Sequence, residues 1–418
     1  MAIISPKRAK EDKTETMTRS WTAKPILSSE FTNDPPLEDI YVGLLRQKKD
    51  ISTAIQTISS ILPGLSHLKR CSSNKLLLAP LKSLDLLAKS EESSSEERTL
   101  TQDELKAVLK NREFDLTLLE DDFQIIKIPS IPAKTKAQAA LASKIWPLNF
   151  HPDPNIERLI DGSIFTEHQL EQIERYMKVA VEAARLEAIG TKNCNGSAVI
   201  VDPEDGRILA ISASRINQHP MWHAAMLAVD LVAKLQGGGA WKLDEKLEKN
   251  LTESEASNPT DKRGNEYYAA REKRIKRIYI EQAPLCYPES LSTIRLPKEE
   301  PLKSTVVQRG RRNNVSKTIY LEESEKTGED IEKCGPYLCT GYWTFLLREP
   351  CPLCAMALVH SRVSRIFYGV SNEYTGILGS RAVLHAVPGL NHRYQVWSDV
   401  LEEECRQAFD EIQHRNVD

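Results

Sequence analysis

The sequence has no apolar run that approaches 18 residues, so no segment is expected to cross a membrane as a helix. Its first 30 residues are polar and lack the apolar stretch that a secretory signal needs. A disulfide framework is missing too: eight cysteines are scattered over 418 residues, apart from the pair Cys351 and Cys354. These absences lead us to expect a soluble, intracellular protein. An excess of either charge is also missing. Lys and Arg total 56 against 59 Asp and Glu, a formal net charge of −3, so any nucleic-acid surface is expected to be a local patch. Lys7-Arg8-Ala9-Lys10 has the form of a nuclear-import fragment, although short basic clusters are common in polar tails. Nucleus and cytoplasm are both expected compartments.

What is present divides into segments. Residues 1–35, charged and ending in Asp34-Pro35-Pro36, read as a disordered arm. Residues 36–130 then alternate periods: a strand over Asp39–Leu45, a helix over Asp50–Leu62, and a hairpin of His67–Arg70 with Lys75–Ala79 across Ser-Ser-Asn. After a Ser/Glu-rich loop at 90–98 come a helix from Thr101 to Lys110 and a strand over Asp122–Ile128. That β-α-β-β-α-β order is the split, ferredoxin-like α+β arrangement. Residues 131–161 carry several prolines and no clear period, and read as a linker.

From residue 162 to 418 the pattern is that of one α/β sheet domain. Thr166 and Gln169 form a capping box, followed by an apolar stripe from Leu170 to Ala184. Strands are expected at Ser197–Val201 and Arg207–Ser212, joined by a turn at Asp202–Gly206. A helix follows His223 and stops at Gly237-Gly238-Gly239. Residues 240–336 interrupt the domain with charge and proline and are expected to be a long, largely disordered insertion. They hold basic runs at 271–277 and 309–312 and an acidic run from Glu322 to Glu332. Patterning resumes with strands at Tyr337–Leu347, Arg365–Val370 and Arg393–Trp397, a helix at the cysteine pair, and a last helix carrying Leu401, Cys405, Ala408 and Ile412 on one face.

The chemistry concentrates at His223, Cys351 and Cys354. Pro352 suits the first turn of a helix, where its missing N–H costs nothing, so the two cysteines lie one turn apart on one face. A helix N-terminus also favours the thiolates that bind metal. Pro220 opens the apolar run Met226, Val229, Val232 and Ala233, which puts His223 near a second helix N-terminus. Three such ligands leave a fourth tetrahedral position on Zn²⁺, the arrangement of an open site. A cysteine pair on a helix also serves packing or redox roles, and the strand, helix and histidine context is what favours zinc here. In the zinc-deaminase pattern H-x-E…P-C-x-x-C the Glu moves protons. In this sequence that position is Ala225.

Several segments resemble the eukaryotic heterodimeric tRNA wobble adenosine deaminase, and within it the non-catalytic subunit. They are His219-Pro-Met-Trp-His-Ala-Ala-Met226, Tyr337-Leu-Cys-Thr-Gly-Tyr342, Arg348-Glu-Pro-Cys-Pro-Leu-Cys354 with its continuation to Arg362, and Leu390-Asn-His-Arg-Tyr-Gln-Val396. Gly64-Leu-Ser-His-Leu-Lys-Arg70 and Trp146-Pro147 resemble that subunit's N-terminal domain. The sequence departs from the family in carrying alanine where a valine is expected, a change of equal consequence, and in its 240–336 insertion. The resemblance implies a cytidine-deaminase-like three-layer α/β/α domain with a mixed sheet, Zn²⁺ on His223, Cys351 and Cys354, no catalytic residue of its own, and tRNA as a ligand. It also implies a partner subunit with an intact H-x-E motif that converts wobble adenosine to inosine. Lys69 and Arg70 are candidate tRNA contacts, set against the plainer reading of solvated surface charge. Glu349 reads as structural, and His360, Arg362, His392 and Arg393 as residues of the packing, the site or the subunit boundary. Two other readings stay open: a zinc-stabilised RNA-binding protein with no deaminase partner, and an independently active deaminase using another acid.

Overall fold

The computed structural model describes residues 19–82, 99–190, 196–243, 283–302 and 337–415. The basic cluster Lys7–Lys10, the loop at 90–98, the charged runs at 271–277, 309–312 and 322–332, and most of the arm at 1–18 lie outside them. The chain forms two compact units, Leu27–Ile164 and Met1–Ile26 with Phe165–Asp418.

In the unit of residues 27–164, strand β2 (Leu37–Leu44) leads to helix α2 (Ile51–Ile61), then to β3 (Cys71–Ser72), β4 (Lys75–Pro80), α3 (Gln102–Asn111) and β5 (Gln124–Pro129). The sheet order is β3-β4-β2-β5 with every neighbouring pair antiparallel. Ala54 and Ile58 of α2, four apart, and Leu105 and Leu109 of α3, likewise four apart, bury the helix stripes against Tyr41, Leu76 and Leu78. Thr101 and Glu104 close α3 with a reciprocal capping box. The opposite sheet face, with Ile40, Val42, Leu77 and Ile128, is covered by Leu68 and Trp146.

Two expectations for this region need correction. The first hairpin arm lies at Cys71–Ser72 and not at His67–Arg70, because the latter segment is a tightly bonded loop. The stretch 131–161 is not a plain linker. It holds α4 (Lys136–Ser143), closed by a Thr135–Gln138 capping box, and α5 (Pro154–Ile160), whose Pro154 starts the helix. Proline marks helix starts here, which is why the period looked broken.

The second unit is built on a seven-stranded mixed sheet of order β1-β11-β10-β9-β6-β7-β8. Its strands are β1 (Lys24–Pro25), β6 (Ser197–Asp202), β7 (Arg207–Ala213), β8 (Leu285–Tyr287), β9 (Trp343–Arg348), β10 (Arg365–Val370) and β11 (Gln395–Ser398). Strands β9, β10 and β11 run parallel, whereas β6 is antiparallel to both β7 and β9. Helices α6 (Glu167–Glu187) and α9 (Glu402–Arg415) pack together on one face, and α7 (Ala224–Leu235) and α8 (Pro352–His360) on the other, giving three layers. Every residue of β9 is buried, as expected for a strand covered on both sides. Phe345, Phe367 and Trp397 stack across β9, β10 and β11 at 5.0 Å between ring centroids.

Here too the chain is more ordered than expected. From Arg19 onward the arm is described, Trp21 is buried, and Lys24–Pro25 pairs antiparallel with β11. Inside the expected insertion, Leu285–Tyr287 extends the sheet beside β7, and Leu291, Ile294 and Leu302 are buried. The Leu302 N–H donates to the Pro203 carbonyl at 2.8 Å, and Gln169 donates to the Leu302 carbonyl at 2.6 Å. Gly206 takes φ 79° in the β6–β7 turn, and a Cβ there would lie 2.0 Å from the Glu300 carbonyl oxygen, so this docking needs the glycine.

Candidate metal centre

His223 is the residue that caps the N-terminus of α7, and Cys351 caps that of α8. Both helices lie on the same face of the sheet and touch each other, so two chain segments 128 residues apart deliver their ligands to one corner. The imidazole Nδ1 of His223 lies 3.4 Å from the Cys351 sulfur and 3.5 Å from that of Cys354. All three residues are buried. With Zn–S near 2.3 Å and Zn–N near 2.0–2.1 Å at a tetrahedral angle, a nitrogen and a sulfur on one ion stand about 3.6 Å apart. The observed separations fit that figure, and the donor set is the soft N/S set that zinc prefers.

The backbone supplies the next layer. His223 Nε2 lies 3.1 Å from the Pro220 carbonyl oxygen, which fixes the tautomer: Nε2 carries the proton and donates, and Nδ1 keeps its lone pair for a metal. No sequence signal marks this partner, because a main-chain carbonyl has no letter of its own. The loop that supplies it is held by aromatic packing, with His219 stacked on Trp222 at 5.5 Å.

Ala225 lines the pocket beside the two cysteines and is 2 % exposed. Its methyl group can neither accept nor return a proton. Glu349, directly before Pro350-Cys351, also lines that pocket, but its carboxylate is fully engaged. It accepts from the backbone N–H groups of Asn372 (2.8 Å), Leu378 (2.8 Å) and Ser380 (3.0 Å), and from the Ser380 hydroxyl. Gly376 packs directly on it: a Cβ at that glycine would lie 2.3 Å from the carboxyl carbon. A carboxylate held by that many donors is a fastener between the start of α8 and the loop 372–380, and it does not stand in for the missing acid.

The remaining candidates are placed away from the three ligands. Arg362 donates to the Asn391 carbonyl at 2.7 Å and lies over the Tyr337 ring at 4.3 Å. His392 bonds the Val363 carbonyl at 2.6 Å, and burial, opposed by that bond, pulls its pKa below the usual 6.5. Both tie the segment after α8 to the approach to β11. Arg393 bonds the Val387 carbonyl at 3.4 Å, and His360 is exposed at the end of α8. In the other unit Lys69 is exposed, whereas Arg70 is turned inward, its guanidinium donating to the carbonyls of Leu62, Gly64 and Leu78 at 2.9, 3.0 and 3.2 Å. Burial pulls the Arg70 pKa down to about 10, which leaves it charged at neutral pH.

A layered α/β domain with a His/Cys/Cys group at two helix N-termini, and alanine at the acid position, is of an inactivated deaminase type. No family model matches the chain. It is 30% identical over 413 residues to the probable inactive tRNA-specific adenosine deaminase-like protein 3 of Danio rerio, covering 96% of this chain and 98% of that protein. It is 29% identical over 407 residues to the protein of the same name from Homo sapiens, covering 97% of this chain and 96% of that one. The tRNA-specific adenosine deaminase TAD3 of Arabidopsis thaliana is 27% identical over 319 residues, covering 70% of this chain and 76% of that protein. The chain belongs to the family of inactive tRNA-specific adenosine deaminase-like protein 3.

Proposed function

We propose that this chain is the non-catalytic subunit of a heterodimeric tRNA adenosine deaminase, which converts adenosine at the wobble position to inosine. The observation that carries the reading is Ala225: a complete His/Cys/Cys group survives beside a position that has lost its carboxylate, and Glu349 is engaged elsewhere. Removing a general acid/base typically lowers a rate by about 10²–10⁴-fold, so the chain alone has no useful activity. A partner subunit with an intact H-x-E motif supplies the chemistry.

In this reading Zn²⁺ sits on His223 Nδ1, Cys351 and Cys354, and its contribution here is to tie the N-termini of α7 and α8 together. The partner packs on the α8 side, where Leu353, Tyr374 and Val387 are 48%, 67% and 44% exposed. The N-terminal unit is of the ferredoxin-like type and provides the tRNA surface, with Lys69 as a phosphate contact and Arg70 as the brace beneath it. The assembled enzyme works in nucleus and cytoplasm.

The deciding experiment is to reconstitute the partner subunit with tRNA, with and without this chain, and to measure inosine at the wobble position. Inosine is expected only with both subunits present. Inosine formed by this chain alone would favour an independently active deaminase. A chain that binds tRNA but no H-x-E subunit would favour a zinc-stabilised RNA-binding protein.

A further inference from the structure

The loop that joins α2 to β3 is bonded with a marked polarity. Its carbonyls are engaged. Those of Leu62 and Gly64 accept from Arg70, and that of Leu65 from the Leu68 N–H at 2.9 Å. Asn149 takes the next three: its side chain donates to the Ser66 and Leu68 carbonyls at 3.0 and 3.1 Å, and its backbone N–H to that of His67 at 2.8 Å. The Lys69 carbonyl accepts from the Trp146 indole N–H at 2.7 Å. Among the described residues, only the Pro63 carbonyl in this run has no such bond.

The amides are not paired in the same way. The N–H groups of Gly64, Leu65, Ser66 and His67 find no acceptor among the described residues. Gly64 and Ser66 are exposed, and Leu65 and His67 are half-buried. Gly64 (φ 119°) and Leu65 (φ 57°) both have positive φ, so the chain turns sharply here, and turns that gather successive amides are a known form of anion site. Lys69 stands exposed at the end of the same loop. Arg70, Asn149 and Trp146 hold it from beneath, so its donors are fixed before any ligand arrives, which lowers the ordering cost of binding.

We propose that residues 64–67, with Lys69, form a main-chain cradle for one phosphate of an RNA backbone. The inference rests on the reading of this chain as a tRNA-binding subunit, and it names the element that makes the contact. A phosphate diester offers acceptors without donors and carries a negative charge, the complement of four amide donors beside an ammonium group. Amide contacts of this kind position a nucleic acid without reading its sequence.

The test uses the full chain assembled with its partner, and tRNA affinity as a function of salt. Ser66→Asp places a like charge in the cradle and is expected to weaken tRNA binding about tenfold, the scale of one hydrogen bond to a charged group. Lys69→Glu is the second variant, should Ser66→Asp disturb the loop, and Lys69→Ala is expected to reduce the salt slope by roughly one unit. Inorganic phosphate at millimolar concentration is the control ligand: selective loss of its binding, with tRNA affinity unchanged, would overturn an RNA ligand. Unchanged affinity in Ser66→Asp and Lys69→Glu, combined with tighter tRNA binding by the assembled dimer than by the partner alone, would overturn the cradle and leave the tRNA-binding reading intact. Equal tRNA affinity of the partner with and without this chain would overturn both.

Discussion

The corner at His223, Cys351 and Cys354 and the loop at 62–70, the two proposed binding elements, are built in opposite ways. At the corner, side chains carry the chemistry: an imidazole and two thiols, delivered by the first turns of two helices. In the loop the side chains of Arg70, Asn149 and Trp146 bond its carbonyls, while four of its amides are left without an acceptor among the described residues. The difference teaches where a sequence can be read. Ligands made of side chains leave letters at fixed spacing, whereas donors made of amides leave only a glycine and a lysine. It also predicts different failures. Damage at the corner falls on folding, and damage at the loop's exposed residues falls on binding.

The largest effect is expected from Cys354→Ser. It removes a buried ligand, so zinc content measured on the purified chain should fall from about one to near zero, and the melting temperature should drop sharply because metal binding is folding free energy. Retained stability in a zinc-free variant would make the corner a packing feature and erase the contrast with the loop. Glu349→Ala comes next. It strands the two buried N–H groups of Asn372 and Leu378, each costing roughly 1–3 kcal/mol when unsatisfied, so a loss of several kcal/mol in denaturant unfolding is expected.

That ranking bears on how much of the molecule was legible. The grouping of His223, Cys351 and Cys354 was readable from residue type and spacing, and the alanine at 225 and a structural Glu349 from the match to the deaminase pattern. Long elements were readable as well: α6 begins at the expected Thr166–Gln169 box, and β10 spans the expected Arg365–Val370. The edge strands β1 and β8 were not, because two or three residues are too few to show a period. Leu291, Ile294 and Leu302 are buried singly between charges and prolines, so no stripe announces that residues 283–302 belong to the fold. Arg70 misled in another way. Its letter suggests a phosphate ligand, and its guanidinium is bound to three carbonyls of its own unit.

Arg70→Met sharpens the comparison inside the loop. Losing those bonds should destabilise the N-terminal unit by about 1–3 kcal/mol, whereas Lys69→Ala should stay within roughly 0.5 kcal/mol. Equal stability effects from the two neighbours would show that they do not divide the work as brace and contact. A smaller effect is expected from pH. His385 is buried, donates from Nε2 to the Ile26 carbonyl at 2.8 Å, and has its pKa pulled below 6.5 by burial, with Arg393 adding to the shift and the Ile26 bond opposing it. The folded state therefore favours the neutral ring. Its contribution is present above pH 6.5 and is lost as pH falls below that value through the lowered pKa. Thermal melts between pH 7.5 and 5 should show a shallower acid loss for His385→Gln than for the wild type.

The smallest effect is expected from restoring the acid. Ala225→Glu returns a carboxylate beside His223, and the assay is inosine formation by a dimer whose partner has lost its own acid/base. If the proton shuttle were all that is missing, turnover would reappear. The geometry argues against that. Ala225 is 2 % exposed in a pocket also lined by Glu349, Pro350 and Leu346, so the new side chain enters a space packed around a methyl group. Placement to within about an ångström governs rate, and a crowded carboxylate does not meet it. We expect zinc to be retained and turnover to remain at least about a hundredfold below the intact enzyme, the scale set by loss of a general acid/base. Turnover within tenfold of the intact dimer would mean that the pocket lost one side chain and kept its substrate geometry, and the corner would then be a dormant active site instead of a structural clasp.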